Sequence, residues 1–310
     1  MSIYLGIDTS NYTTSVCLYD NNSGEVISKR KLLPVKDGEL GLRQSDAVFH
    51  HVQQLPALFE DAFSDYSDQI KAIGVSYAPR TAEGSYMPCF TVGLTAASIL
   101  SSVLKVPVYH FSHQQGHIAA ALYSVDRLDL IDQKHIAFHV SGGTTEALLV
   151  NGEDGFVTTE IVAKTLDLNA GQLIDRVGVM LGLRFPCGKE LEQLALQCED
   201  TIRVKPTLKD LNCCLSGGQN IAQKYFDEGK SPAYIARFTM EFISAAISQM
   251  SNRIRERYGD LPFVYAGGVM SDSIIRDELI AKHDCVFAKP EFSCDNAVGT
   301  AVLASIKDNI

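Results

Sequence analysis

Two histidines one helical turn apart are the sharpest chemical signal in this chain of 310 residues. In His110-Phe111-Ser112-His113-Gln114-Gln115-Gly116-His117, Ser112 with Gln115 three residues later has the form of a capping box, which starts a helix at His113. His113 and His117 then share one helix face with about 6 Å between Cβ atoms, a fair spacing for two ligands of one metal ion. A second pair at the same spacing, His135 and His139, falls in a strand pattern, where four residues span about 13 Å and cannot share an ion. No Glu follows His113, so the H-E-x-x-H helix of zinc proteases, with its carboxylate base, is absent. A hard or borderline metal wants a carboxylate as third ligand, and the candidate is Asp295 in Glu291-Phe292-Ser293-Cys294-Asp295-Asn296. The competing reading of Asp295 is an N-cap for the last helix.

A second chemistry is written in small residues. Ile3-Tyr4-Leu5-Gly6-Ile7-Asp8 runs into Thr9-Ser10-Asn11-Tyr12-Thr13-Thr14 and back, a hairpin tipped with hydroxyls and amides. Ile136–Val140 runs into Ser141-Gly142-Gly143-Thr144-Thr145 and returns the same way, which suggests an internal duplication. Such tips suit a phosphate, because backbone N–H groups point into the turn and nothing bulky keeps the anion away. The plainer alternative is a tight turn. A third element, Val264-Tyr265-Ala266-Gly267-Gly268, is a strand ending in a glycine pair before a helix near Ser271-Asp272, a common way to lay backbone against a nucleotide. In the segment 167–183, Gly171, Asp175, Gly178 and Gly182 recur at helical spacing. Close helix packing accounts for the glycines; an acid on that face suits the hydroxyls of a ribose.

Around these residues, strands alternate with helices. Residues 45–63 carry apolar side chains at helical spacing, 70–75 read as a buried strand, 92–104 as an uncharged helix and 106–109 as a strand. The second half repeats the alternation, with a long helix at about 231–258, a strand at 263–266, a helix from 271, a strand near 286–287 and a last helix over 295–306. The class is α/β with a partly parallel sheet. The balance of 27 Lys+Arg against 37 Asp+Glu, a net charge of −10, argues against a broad basic face that grips nucleic acid unaided, and leaves room for a local basic groove or a partner that supplies one. Eight cysteines without a C-x-x-C pair read as reduced thiols of a cytoplasmic protein. The uncharged run 84–104, broken by Pro88 and two glycines, reads as a loop feeding a buried helix, so no membrane span is expected.

Taken in order, Leu5-Gly6-Ile7-Asp8-Thr9-Ser10, His113-x-x-x-His117, Val140-Ser141-Gly142-Gly143, Ala170-Gly171 with Asp175, Leu181-Gly182-Leu183, Ser216-Gly217, Ala266-Gly267-Gly268-Val269 and Pro290-Glu291-Phe292 with Asp295-Asn296 resemble the tRNA threonylcarbamoyl-adenosine synthase family, formerly the glycoprotease family. The resemblance implies the duplicated actin-like, sugar-kinase-like ATPase fold, with lobes at 1–112 and 113–295 around a nucleotide cleft and the last helix, 296–310, packed back on the first lobe. It implies His113, His117 and Asp295 as metal ligands, and Ser141, Gly142, Gly143, Gly171, Asp175, Gly188 and Gly268 in the nucleotide site, with Gly267 and Asp272 beside them. Asp8, Thr9 and Ser10 are the candidate catalytic residues. The implied reaction moves a threonylcarbamoyl group from its AMP anhydride to the exocyclic amine of the adenosine beside the tRNA anticodon. The expected cofactors are one divalent metal ion, Fe or Zn ahead of Mg, and an ATP/AMP-type nucleotide. The expected partners are threonylcarbamoyl-AMP, tRNA brought in with partner subunits, and a paralogous actin-like subunit or a second copy.

The chain departs from the family pattern at several points. Asn11-Tyr12-Thr13-Thr14 stands where the family has Cys-Asp-Glu-Thr, Thr144 where it has His, and Ala78-Pro79-Arg80-Thr81-Ala82-Glu83-Gly84 where it has Gly-Pro-Gly. Pro186-Cys187-Gly188-Lys189 replaces Pro-Gly-Gly-Pro, Gln219 replaces a Lys, and Asp272 replaces an Asn. The alternatives are therefore a diverged non-catalytic or regulatory homologue that binds nucleotide and partner subunits, and a carbamoyl-type transferase with another acceptor.

Overall fold

A strand that leaves a carboxylate at its exit begins the fold. In the structure, a computed structural model that describes residues 2–34, 42–63, 65–153, 156–293 and 296–310, β1 (Ile3–Thr9) pairs antiparallel with β2 (Thr13–Asp20), with Thr9 opposite Thr14. Both strands are buried along their whole length. β3 (Val26–Leu32) closes this edge with exposed Lys29, Arg30 and Lys31, charges that discourage further strand pairing. After α1 (Gln44–Phe63) comes β4 (Ile70–Ala78), parallel to β1, and then α2 (Phe90–Leu104). α2 stops where Lys105 adopts a left-handed φ of 58° and its N–H returns to the Ser101 carbonyl. β5 (Val108–Ser112), parallel to β4, delivers the chain into α3 (His113–Ser124).

The second sheet repeats the plan. β6 (His135–Val140), β7 (Thr145–Glu153) and β8 (Phe156–Lys164) form its meander. α4 (Ala170–Met180), α5 (Gly188–Ala195), the small hairpin β9 (Thr207–Lys209)–β10 (Asn212–Cys214), α6 (Ser216–Asp227) and α7 (Pro232–Tyr258) follow. β11 (Phe263–Ala266) lies parallel to β6, α8 (Ser273–Ile280) crosses over, and β12 (Cys285–Phe287) lies parallel to β11. The strand orders are β3-β2-β1-β4-β5 and β8-β7-β6-β11-β12, so the duplication read from two hairpins extends to whole sheets. α7 begins with Ser231 as N-cap and Pro232 in the first turn. Its buried stripe joins a core in which Phe138 and Tyr265 stack at 4.9 Å. Each large apolar side chain buried there contributes about 1.5–3 kcal/mol.

α9 (Val298–Asp308) returns to the first sheet. A Cβ on Gly6 would meet the Ala297 carbonyl at 2.2 Å, and one on Gly74 the Thr300 carbonyl at 2.1 Å, so glycine in β1 and β4 lets the helix lie directly on the strands. Two compact units result, one of residues 1–133, 151–158 and 291–310, the other of 134–150 and 159–290. The expected boundary at 112/113 is moved by this division. α3 belongs to the first unit because its backbone touches α9: a Cβ on Gly299 would lie 1.8 Å from the Gly116 carbonyl oxygen.

Candidate functional site

The start of α3 is built as its sequence demands. Ser112 Oγ accepts from the Gln115 N–H at 3.2 Å, and Gln115 Oε1 accepts from the Ser112 N–H at 2.6 Å. The same Gln115, buried, donates through Nε2 to the Val157 carbonyl at 2.5 Å, and the Gln114 N–H donates to the Pro79 carbonyl at 3.1 Å. Held so, His113 and His117 bring their Nε2 atoms to 2.9 Å from each other. At that distance the two nitrogens are within hydrogen-bond reach, which requires a proton on one of them. On the far side of the ring, His113 Nδ1 is 3.0 Å from Asp8 Oδ1. Asp8 therefore faces away from the point where the two Nε2 atoms converge. Consistent with this, no group of three His, Cys, Asp or Glu among the described residues is arranged to hold a metal ion. The expected third ligand, Asp295, lies outside the described residues.

The donor set fits a divalent ion as far as it is described. Two imidazole nitrogens converge, and one ring is braced by a carboxylate, the arrangement usual behind metal-bound histidine. Asp8, Thr9 and Ser10 are 1%, 0% and 3% exposed, so all three side chains are closed off from solvent. Thr9 Oγ1 donates to the Cys89 carbonyl at 3.0 Å and accepts from the Gly93 N–H at 3.1 Å, which ties the hairpin tip to α2. The Ser10 carbonyl accepts from His51 Nε2 at 2.9 Å, and Thr14 Oγ1 lies 2.8 Å from His51 Nδ1 and from Gln54 Oε1. Burial pushes the His51 imidazole towards its neutral form. Sequence reading passed over His51 because it lies within an amphipathic helix pattern; its polar type on a buried face was the available signal.

In the second unit, the exits of the parallel strands β6 and β11 meet the start of α4, the usual place for a ligand in an α/β sheet. Ser141 Oγ accepts from the N–H groups of Gly143 and Thr144 at 3.3 and 3.1 Å, shaping the tip. Gly171 donates its N–H to the Ser141 carbonyl at 3.1 Å, and a Cβ there would strike Gly142 at 2.6 Å. Gly267, at φ 105°, has no room for a side chain either: a Cβ would sit 2.3 Å from the Val140 carbonyl. Gly142, Gly143, Gly188 and Gly268 are different. A Cβ on any of them would meet nothing within 4 Å, and none has a left-handed φ. Neither turn geometry nor packing requires glycine at these four positions.

The acids of this unit have partners. Asp175 Oδ1 accepts from the Cys187 N–H at 2.9 Å, which explains the acid on α4 without a ribose, and a Cβ on Gly178 would strike Cys187 Cβ at 2.3 Å. Gly182 leaves the expected helix face: α4 ends at Met180, and Gly182 follows it with φ 85°. Asp272 caps α8 by accepting from the Ile275 N–H at 3.0 Å. Burial, with Glu192 adding repulsion, pushes its carboxyl up to about 6. Glu192 Oε1 accepts from the N–H and hydroxyl of Ser273 at 2.8 and 2.6 Å. Asp167 receives the N–H groups of Leu168, Leu215 and Ser216 and the Ser216 hydroxyl. Burial opposes its ionisation, but these donors hold its carboxyl below the ordinary range. Glu192 and Asp167 fall outside the residues that carry the family resemblance, so the sequence alone did not single them out. Gln219, in place of the family Lys, accepts from Arg176 Nη1 at 3.1 Å.

The family model described as tRNA N6-adenosine threonylcarbamoyltransferase matches residues 29–302. This chain belongs to that family. A Thermosipho africanus protein named tRNA N6-adenosine threonylcarbamoyltransferase is 30% identical, with 97% of this chain and 92% of the relative aligned. A Methanothermobacter thermautotrophicus protein named probable bifunctional tRNA threonylcarbamoyladenosine biosynthesis protein is 27% identical over 97% of this chain, which spans only 55% of that relative's length. Among solved structures, T. kodakarensis HypF superposes with a TM-score of 0.63 at 13% identity, covering 98% of this chain and 47% of that one. A ROK family glucokinase from Streptomyces griseus superposes with a TM-score of 0.53 at 11% identity, covering 98% of this chain and 99% of that one. These likenesses show the two-lobed actin-like, sugar-kinase-like fold. Family membership ties the chain to tRNA threonylcarbamoyladenosine biosynthesis and to the acyltransferases. At 27–30% identity it is a diverged member. No helix among the described residues is long and apolar enough to cross a membrane.

Proposed function

We propose that this chain is a metal-dependent threonylcarbamoyltransferase that acts on the adenosine beside the tRNA anticodon, with threonylcarbamoyl-AMP as donor. The observation that carries the metal part is the convergence of His113 and His117 at 2.9 Å on a capped helix. His113 and His117, with Asp295, would hold one divalent ion, Fe or Zn ahead of Mg. Bound there, the ion supplies Lewis-acid polarisation of the carbonyl or anhydride oxygens. The uncovered backbone at Gly142, Gly143, Gly188 and Gly268 supports a nucleotide subsite for the leaving AMP, shaped by Ser141, Gly171 and Gly267. Asp175 and Asp272 belong to the same reading, each with one carboxylate oxygen already accepting a backbone N–H, from Cys187 and Ile275.

A partner subunit and a cytoplasmic setting remain part of this reading. The free thiols among the described cysteines support the second. An apolar groove lined by Val52, Leu55, Phe59, Val92 and Ile99, between α1 and α2, supports the first. The test is transfer of the threonylcarbamoyl group, radiolabelled in its threonine, from threonylcarbamoyl-AMP to unmodified tRNA, with metal content measured on the same preparations. With partner subunits supplied, the wild-type chain is expected to transfer, and His113→Ala to lose metal and at least about 100-fold in rate. Transfer that persists in metal-free protein overturns the proposal. Nucleotide binding without transfer, with partner subunits supplied, points instead to the non-catalytic homologue.

A further inference from the structure

Asp8 is the one acid of the first hairpin tip, and it is 1% exposed. It touches His113. Resting on the reading of His113 and His117 as metal ligands, we infer that Asp8 is a positioning residue: it accepts the Nδ1 proton of His113 and so aims the Nε2 lone pair at the metal position. The distance is 3.0 Å from Asp8 Oδ1 to His113 Nδ1, the nitrogen opposite the one that meets His117. A carboxylate only accepts here, so the proton is confined to Nδ1, and the neutral ring has a single lone pair, on Nε2.

The fold enforces this pairing from three directions. Gly6 and Asp8 project from the same face of β1, and Gly6 meets the backbone of α9, so Asp8 points to the side where α9 and α3 lie. β5 ends at Ser112, whose cap fixes where His113 starts the helix. The Phe90 ring, 6.1 Å from the His113 ring, limits its rotation. The charge on Asp8 is felt nearby: burial first, and Asp8 second, push the Cys89 thiol up to about 11. Carboxylates that brace metal-bound histidines typically contribute about 10–100-fold in metal affinity.

The experiment titrates the full-length chain with Co²⁺, read by its visible absorption, for wild type, Asp8→Asn, Asp8→Ala and His113→Ala. Urea unfolding confirms that each variant folds, and ¹⁵N NMR of the histidine rings reports the tautomer. The expected order of affinity is wild type, then Asp8→Asn, then Asp8→Ala. The Asn variant keeps an acceptor without the charge, and the Ala variant falls about 10–100-fold. His113 is expected to show a single Nδ1–H form in wild type and a mixture in Asp8→Ala. If Asp8→Ala does not fold, Asp8→Asn decides. Wild-type Co²⁺ affinity and an unchanged tautomer in the folded Asp8 variants overturn the inference while leaving the metal site standing. Co²⁺ binding that is absent in wild type, or unaffected by His113→Ala, overturns the metal reading itself.

Discussion

Asp272 stands where the family usually has Asn, and its environment makes the difference measurable. Its carboxyl is pushed up to about 6, from 3.8, by burial and then by Glu192. Between those values the folded chain holds a proton that the unfolded chain has released, so stability is greatest on the acid side and falls as pH rises through 6. The loss is about 2–3 kcal/mol once both states are ionised. Asn keeps an oxygen for the Ile275 N–H and carries no charge beside Glu192. Asp272→Asn is therefore expected to match wild type near pH 4 and to exceed it by up to about 2 kcal/mol at pH 7.5, measured by urea unfolding at both pH values. Equal stability at pH 7.5 would sink this account.

At the scale of elements, the contact that matters most is backbone on backbone. Gly299 in α9 leaves no room for a methyl group against the Gly116 carbonyl, the residue before His117. Gly299→Ala must separate α9 from α3, at a cost of about 1–3 kcal/mol or more. Urea unfolding should show that loss, and Co²⁺ affinity should fall with it because the ligand helix is displaced; unchanged values for both would refute the argument. This contact was hidden in the sequence, where Gly116 and Gly299 are 183 positions apart. What could be read was local: the Ser112–Gln115 box gave the start of α3 to the residue, and the strand at 263–266 and the long helix near 231–258 match β11 and α7. Boundaries set by tertiary contacts were displaced: the strand expected at 106–109 is β5 over Val108–Ser112, and the helix expected from 271 starts at Ser273, after a 3-10 turn over Gly268–Ser271. The site was legible in the same uneven way. The spacing of His113 and His117 could be read from periodicity, whereas the inward turn of Asp8, Thr9 and Ser10 depends on α1, α2 and α3 closing over the hairpin tip.

For the whole molecule the decisive quantity is charge. At −10, the chain repels a polyanion at long range, and only local basic surface opposes this. The sequence offers two small basic clusters, Arg203-Val204-Lys205 and Arg253, Arg255 and Arg257, each of which reads first as a solvated face, and α7 spends the second on neighbours. Arg257 pairs with both oxygens of Asp210 at 2.6 and 3.0 Å, Arg253 donates to the Asp210 carbonyl, and Arg255 pairs with Asp260 at 3.0 Å. Arg253 and Arg257 fasten the β9–β10 turn to the end of α7, where Asp210 has a left-handed φ of 54°. The isolated chain is therefore expected to bind tRNA no more tightly than the nonspecific range of about 1–100 μM, with a shallow dependence on salt between about 50 and 200 mM. Filter binding with Arg253→Ala and Arg257→Ala should leave that affinity within about twofold of wild type, since both side chains already have acid or carbonyl partners. A tenfold loss in either variant would mean that these arginines let go of Asp210 to take a phosphate, and that the chain carries its own tRNA surface.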